Sequence, residues 1–408
     1  MFLEAAVPTP RDRQARLAAF AVFAVQGLTF ATLLSQVAAL QNKHGLTDGQ
    51  LTVLLLVVPV IAGAGSVLSG TAAARFGSRR VLRLVQPLAC VAVVLAGLAP
   101  GVPALVAANV LFGLGLGGVD AGMNMQGVAV ERRYGRPVLT GFHALWSAAA
   151  VAGALWASAG AGLGLALPAT FAIALVPAVA VSVTASLWLY RPAEEHASEA
   201  QAARPTGEHP TGGVTGVAWR PLIPLCLAMA FLYVGDSSIS NFGSVFMDKV
   251  VHASAAVVPL ALGAYQATTF LVRVAGDLAV RRFGPAAIVR AGAVVATAGF
   301  AAVVAAPGEP MAIAGFALTG IGLSVVAPQS FSAAGRLDPA HTGVAIARVN
   351  MFNYVGFIVG AALVGGIADA SGYRIAFAAP LVLVAVIILL ARGFQPRTAA
   401  TSPAPATS

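Results

Sequence analysis

Twelve apolar runs, each about twenty residues or slightly longer, alternate along this chain with short bursts of arginine. An apolar helix of about 20 residues crosses the hydrocarbon core of a bilayer. Lipid offers the backbone no hydrogen bonds, so such a run must satisfy its own peptide groups as a helix. The first six runs lie near 17–41, 50–74, 81–100, 103–129, 138–162 and 165–190. The second six lie near 220–247, 254–280, 286–306, 309–334, 342–369 and 373–392. Composition agrees: 58% of residues are hydrophobic and 10% are charged, against about 25% charged in a soluble domain. This surface is not built to face water.

The charges set the topology. Taking the N-terminus as internal, the internal segments hold 19 Lys and Arg and the external loops hold 3, namely Lys43, Lys249 and Arg374. By the positive-inside rule both termini are cytoplasmic. The net charge of +9 thus belongs to membrane topology, and no nucleic-acid partner is implied. The basic start (Arg11, Arg13, Arg16) precedes an apolar run too long for the core of a signal peptide, so it reads as a retained first span. Residues 191–219 are rich in Pro, Gly, Glu and Ala and read as a cytoplasmic linker. It joins an N-terminal half (1–190) to a C-terminal half (220–392), and 393–408 reads as a disordered cytoplasmic tail.

The halves repeat at an offset of 207. RFG occurs at 75–77 and 282–284, GLGLGG at 113–118 aligns with GIGLSV at 320–325, and VAGA at 151–154 aligns with IVGA at 358–361. The fold class expected is therefore all-α and integral to the membrane, with twelve transmembrane helices in two pseudo-symmetric six-helix halves. The repeat also disposes of a decoy. Gly113, Gly115 and Gly118 fit the G-x-G-x-x-G of a dinucleotide loop, but that loop needs a strand before it. Here the glycines sit inside span four, where they let helices approach closely.

Charged side chains are expensive inside a bilayer, so those present face a cavity or a partner. Asp120 in span four and Asp236 in span seven are the carboxylates placed well inside spans, and they are the candidates for proton coupling. His143, at the start of span five, is a third candidate because imidazole titrates near neutrality. Polar stripes at helical spacing supply cavity candidates: Gln26, Asn109, Asn124, Ser240, Asn241, Gln266, Asn350, Asn353 and Tyr354. Any single Ser, Thr or Asn among these also serves simply to bond one helix to another. Arg273 and Asp277 are one turn apart in span eight and read as an ion pair of a cytoplasmic gate. Cys90 and Cys226 stand alone in apolar runs, so no disulfide or metal site is indicated. With no phosphate loop and no nucleophile–base arrangement, the chain does not read as an enzyme, and no cofactor is expected.

The arginine-rich loops resemble those of the major facilitator superfamily, whose loop signature is roughly G-x-x-x-D-R-x-G-R-R. The first copy, GTAAARFGSRR, matches at Gly70, Arg75, Gly77 and Arg79, with Ala74 in place of the acid. The second, RVAGDLAVRRFG, keeps an acid at Asp277. This resemblance makes Arg75 and Arg79 gating candidates beside Arg273 and Asp277. The stretch from Asp120 to Ser147 (DAGMNMQGVAVERRYGRPVLTGFHALWS) further resembles a bacterial branch of permeases akin to the fucose permeases. In those, an acid after the span-four glycines serves proton coupling, and Asp120 matches it. Their acid in span one has no counterpart in FATLLSQVAAL. Span seven, GDSSISNFGSVFM, is similar to the acidic seventh span of the branch, with Asn241 in place of its second acid.

The resemblance implies a secondary active transporter in the bacterial cytoplasmic membrane. It would move a small organic solute by alternating access, as proton-coupled uptake. One alternative is an efflux antiporter for drugs or metabolites, although exporters of the superfamily carry a Gly-Pro motif in span five that SAAAVAGALWASAGAG lacks. A reading of another class is a membrane sensor that keeps the fold without transporting. The topology is directly testable. A cysteine at Ser198 should react with an impermeant reagent only from the cytoplasm, and one at Thr47 only from outside. External labelling at Ser198 would overturn both the orientation and the span count.

Overall fold

The computed structural model describes residues 8–134, 138–195, 218–337 and 344–395. Within those ranges the side chains of 74, 140, 275–278, 281, 344, 346 and 347 lie outside the description. The first half comprises α1 (Pro10–Leu34), α2 (Val37–His44), α3 (Asp48–Phe76), α4 (Ser78–Leu98), α5 (Val102–Tyr134), α6 (Leu139–Gly162) and α7 (Leu167–Ser186). The second comprises α8 (Trp219–Lys249), α9 (Leu260–Phe283), α10 (Pro285–Ala305), α11 (Glu309–Leu323), α12 (Val326–Arg336), α13 (Val344–Ser371), α14 (Tyr373–Ala376) and α15 (Ala378–Leu390). Eleven spans among the described residues are long and apolar enough to cross a membrane, and α9, at 24 residues, completes the expected twelve. The linker over 191–219 and the tail over 393–408 fall mostly outside the described residues.

Four boundaries differ from the sequence reading. Span one is two helices, because the chain turns at Ser35 and Gln36 between α1 and α2. Span ten is interrupted at Ser324 and Val325, and span twelve at Phe377. Span eight starts at Leu260 and not at 254, because Ser254 to Pro259 form turns, with Val257 and Val258 both donating to the Ser254 carbonyl. Hydropathy averaged over a span cannot see these breaks, because Ser35, Gln36 and Ser324 are too few to lower it.

Glycine fixes the packing of α5. A Cβ on Gly117 would sit 1.8 Å from the Ala62 carbonyl oxygen, and one on Gly113 would sit 2.8 Å from the Val58 oxygen, both on α3. Gly115 meets Ala89 of α4 at 2.9 Å. The nucleotide-like motif is thus two helix-contact faces, one toward α3 and one toward α4. The second half repeats the arrangement. Gly320 would meet the Tyr265 oxygen at 2.4 Å and Gly322 the Ala296 nitrogen at 2.4 Å. Gly113 and Gly320, Val58 and Tyr265, Gly115 and Gly322, and Ala89 and Ala296 all differ by the same 207. The duplication is therefore visible contact by contact. The RFG glycines match too: Gly77 and Gly284 adopt φ of +83° and +80°, a region that glycine alone occupies freely. Each ends one helix and begins the next in a single residue.

The first residues after span six are tied to the N-terminal half. Arg11 pairs with Glu194 at 2.8 Å. Glu195 accepts from Ser78 Oγ at 2.9 Å and from Gln126 Nε2 at 2.6 Å. Glu195 thus places a carboxylate at the N-terminus of α4, where the helix dipole favours negative charge, beside the loop whose usual acid is Ala74. Partial burial pushes the Glu194 carboxyl up, but the Arg11 and Arg191 bonds and charges outweigh it and hold the group below its ordinary value.

These contacts predict opposite outcomes for two glycine substitutions. Gly117→Ala should force α5 off α3 and cost about 1–3 kcal/mol, the usual cost of overpacking. Gly63→Ala in α3 meets nothing within 4 Å and should be neutral or stabilising by up to about 1 kcal/mol. Thermal unfolding in detergent reads both, and equal melting temperatures would refute the contact.

Candidate functional site

The candidate site lies where the two halves face each other. Asp236 on α8 accepts a 2.6 Å hydrogen bond from the hydroxyl of Tyr265 on α9. Arg273, two turns farther along α9, is within electrostatic reach of Asp236, Tyr233, Tyr265 and His143. Its Nη1 also donates to Ser147 Oγ on α6 at 3.1 Å, which crosses from one half to the other. Asp120 on α5 is half-buried and interacts electrostatically with Tyr233 and Tyr354. Tyr233 therefore stands near both carboxylates. One acid from each half, three tyrosines, an arginine and a histidine form a single constellation.

The other sequence candidates divide into groups. His143 is half-buried against the edge of the Phe23 ring at 5.1 Å. Asn109 and Asn124 spend their amide N–H on carbonyls of their own helix, Leu105 and Asp120. Asn241 donates to Ser237 Oγ one turn back, at 2.9 Å. Gln26 is 1% exposed, and both its polar atoms lack a partner among the described residues, as does the Ser240 hydroxyl. Gln266 is buried, Asn350 and Asn353 are half-buried, and Tyr354 is exposed. Arg75 is exposed and lies over the ring of its neighbour Phe76, while Arg79 is half-buried. The side chain of Asp277 lies outside the described residues, so its pairing with Arg273 does too.

Sequence reasoning missed two features. One is Tyr265, whose hydroxyl makes the single hydrogen bond described for Asp236; tyrosine in an apolar run carries no motif, and only its spacing one turn before Thr269 pointed inward. The other is a cross-half latch built on Asp48 at the start of α3. Its Oδ1 accepts from Lys249 Nζ at 2.5 Å, Gln41 Nε2 at 2.7 Å and the Tyr373 hydroxyl at 3.0 Å. Beside it Asn42 donates to Asp248 at 3.0 Å, and the Gly49 amide donates to Asp369 at 2.9 Å. Ser158 adds a bond to the Ala256 carbonyl at 2.5 Å. Nearly all of these residues sit at or near helix ends, which resemble any solvated helix terminus until the halves are brought together.

Against known proteins, a model described as Major Facilitator Superfamily matches residues 225–408. The chain is 27% identical to an uncharacterized MFS-type transporter of Yersinia pestis, over 91% of this chain and 93% of that protein. It is 28% identical to an uncharacterized transporter of Sinorhizobium fredii, over 90% and 95%. Among solved structures, it shares its fold with a bacterial homologue of the human lysosomal transporter Spinster in an inward-facing, occupied conformation. That match has a TM-score of 0.70 at 15% identity and covers 95% of this chain and 96% of that one. These likenesses support the superfamily resemblance read from the loops.

The latch has a measurable consequence. Leu51, one turn below Asp48, is 1% exposed. In a background without Cys90 and Cys226, Asp48→Asn should speed maleimide labelling of a Leu51→Cys variant about fivefold, since a partly exposed ion pair is worth roughly 1 kcal/mol. An unchanged rate would show that Asp48 does not hold this end closed.

Proposed function

We propose that this chain is a secondary transporter of the major facilitator superfamily, of the branch akin to the fucose permeases. It moves a small organic solute across the bacterial cytoplasmic membrane by alternating access, with protons as the driving ion. Both termini are cytoplasmic, halves 1–190 and 220–392 are joined by the linker over 191–219, and the Asp48 latch closes the outer face. The solute binds between the halves. The observation that carries this reading is the pair of carboxylates, Asp120 and Asp236, contributed by opposite halves and both near Tyr233. A carboxylate out of water that gains access to it from alternate sides loads a proton on one side and releases it on the other. Clustering of the latch bonds at one end fits a state shut to the outside, the state in which the Spinster homologue is described.

In this scheme Asp236 is the better-equipped proton site. Tyr265 donates to its ionised form, and Arg273 lies close enough to favour that form when the proton leaves. Asp120 has neither kind of partner among the described residues, and it takes a share of the proton or of the solute. Asp→Asn preserves shape and hydrogen bonding while removing titration. In proteoliposomes offered a labelled panel of sugars, amino acids and antibiotics, Asp236→Asn should abolish accumulation driven by a pH gradient. Counterflow of the same solute between loaded vesicles should persist. Asp120→Asn should give the same or a milder defect. Accumulation that survives in the double variant would remove both acids as the proton site, and no flux of any solute in the parent protein would favour a sensor.

A further inference from the structure

Four arginines from three distant stretches of the chain converge where α4 begins and α7 ends, on the side that the proposed topology gives to the cytoplasm. Arg79 and Arg83 lie in the first two turns of α4, Arg191 follows α7, and Arg11 opens α1. Arg79 is within electrostatic reach of the other three and of Glu194. Bonds fix the assembly. Arg11 donates to the carbonyls of Trp188 and Leu189 at 2.5 Å and 2.8 Å, and Arg83 Nε donates to Ser186 Oγ of α7 at 2.9 Å. Arg80 stands exposed next to Arg79.

The protein does not balance this charge itself. Glu194 is already bound by Arg11 at 2.8 Å, and no carboxylate among the described residues pairs with the side chains of Arg79, Arg80, Arg83 or Arg191. The positive-inside rule asks only that arginines lie on this side of the membrane, and exposed ones scattered over the loops would satisfy it. It does not ask that Arg79 and Arg83 be half-buried, or that like charges be gathered, which is costly unless an anion sits among them.

The surface next to the cluster is apolar. Leu84, Val91 and Leu95 are exposed on α4, as are Val183 and Leu187 on α7. The three on α4 follow one another at seven and four residues and so share a face, and Arg80, one turn before Leu84, stands at its head. The Arg83–Ser186 bond and a 3.0 Å bond from Ser182 to Gln86 hold the two helices side by side. Trp188 is 53% exposed beside them, as an indole at headgroup depth should be.

We propose that the cluster binds the phosphate of an anionic phospholipid, with an acyl chain laid along the exposed stripe of α4. Guanidinium groups suit a phosphodiester because they can bond two of its oxygens at once. A soluble phosphate would have no use for the apolar stripe that adjoins the charges, and that continuity favours a lipid. The site belongs to the first half and the start of the linker, so it stands or falls independently of transport.

The probe is phosphatidylglycerol with brominated acyl chains, which quench tryptophan on contact, set against phosphatidylcholine with the same chains. Trp188 is kept as the single tryptophan, with Trp146, Trp156 and Trp219 changed to Phe. In the purified full-length protein, phosphatidylglycerol should quench Trp188 saturably and at least about tenfold more tightly than phosphatidylcholine. Arg80→Gln and Arg191→Gln should each weaken phosphatidylglycerol about fivefold, which corresponds to the ~1 kcal/mol of one basic residue at an anionic surface. Phosphatidylcholine should be unaffected. Both side chains are exposed, so neither change threatens folding. A companion protein keeps only Trp219, which is exposed at the start of α8 in the other half and has Arg348 over its ring at 4.4 Å. It reports what ordinary basic surface does, and its preference for phosphatidylglycerol should be several-fold weaker. Equal preference at Trp219, no saturable quenching at Trp188, or quenching there indifferent to both substitutions overturns the site. Displacement of the lipid by inorganic phosphate, but not by chloride at equal ionic strength, would assign the cluster to a soluble anion and overturn the lipid reading.

Discussion

Everything in this bundle depends on backbone lying directly on backbone where α5 crosses α3. With no hydrophobic effect to drive helices together inside lipid, close van der Waals packing must do it, and only small residues allow the approach. Gly117 leaves the Ala62 carbonyl less room than one added carbon would need. Gly113 and Gly115 extend that closeness to Val58 and Ala89. The copy at Gly320 and Gly322 reproduces the two contacts against Tyr265 and Ala296. At Ser324 and Val325, where Gly117 and Gly118 have no glycine counterparts, the helix interrupts between α11 and α12.

Duplication supplies the scaffold, and divergence between the copies supplies the chemistry. Asp236 corresponds, 207 residues on, to Thr29, and Tyr265 corresponds to Val58. In the first half Thr29 merely bonds the Val25 carbonyl and touches Cys90, while Val58 lines a small, mostly apolar cavity. In the second half the same two places hold a carboxylate and its hydrogen-bond donor. A symmetric pair of frames thus carries an asymmetric centre.

Most of the fold was legible because its signals are local. Length and apolarity mark each span, the arginine bursts mark its ends, and the offset of 207 joins the halves. Asp120 and Asp236 were legible for the same reason, since an acid inside an apolar run stands out alone. The breaks at Ser35, Ser324 and Phe377 were not, because one or two polar residues, or none at Phe377, leave the apolar run intact over its length, and tertiary packing decides where the helix yields. The latch was hidden for a different reason. Asp48 reads as an ordinary first-turn acid beside the Thr47 cap, and its partners Lys249 and Tyr373 lie 201 and 325 residues away. Sequence places residues on helices, but only the pairing of halves tells which loops meet.

The latch and the acids share helices, and in the proposed scheme this bears on how proton and solute would be coupled. Asp48 ties α3 to α8 and α14, and α8 is the helix that carries Asn241 and Asp236. In that scheme, opening the latch would displace Asn241 and Asp236 together, because a stiff helix transmits displacement along its length better than it bends. Asp120 belongs to α5, which glycine contacts lock to α3, so it travels with Asp48. In the proposed scheme the two carboxylates would therefore ride on bodies that part when the latch releases. Their mutual repulsion, and the access of water to each, changes with that separation. Coupling in the proposed scheme would then require no relay between latch and acid, only that the same rigid helices bear both.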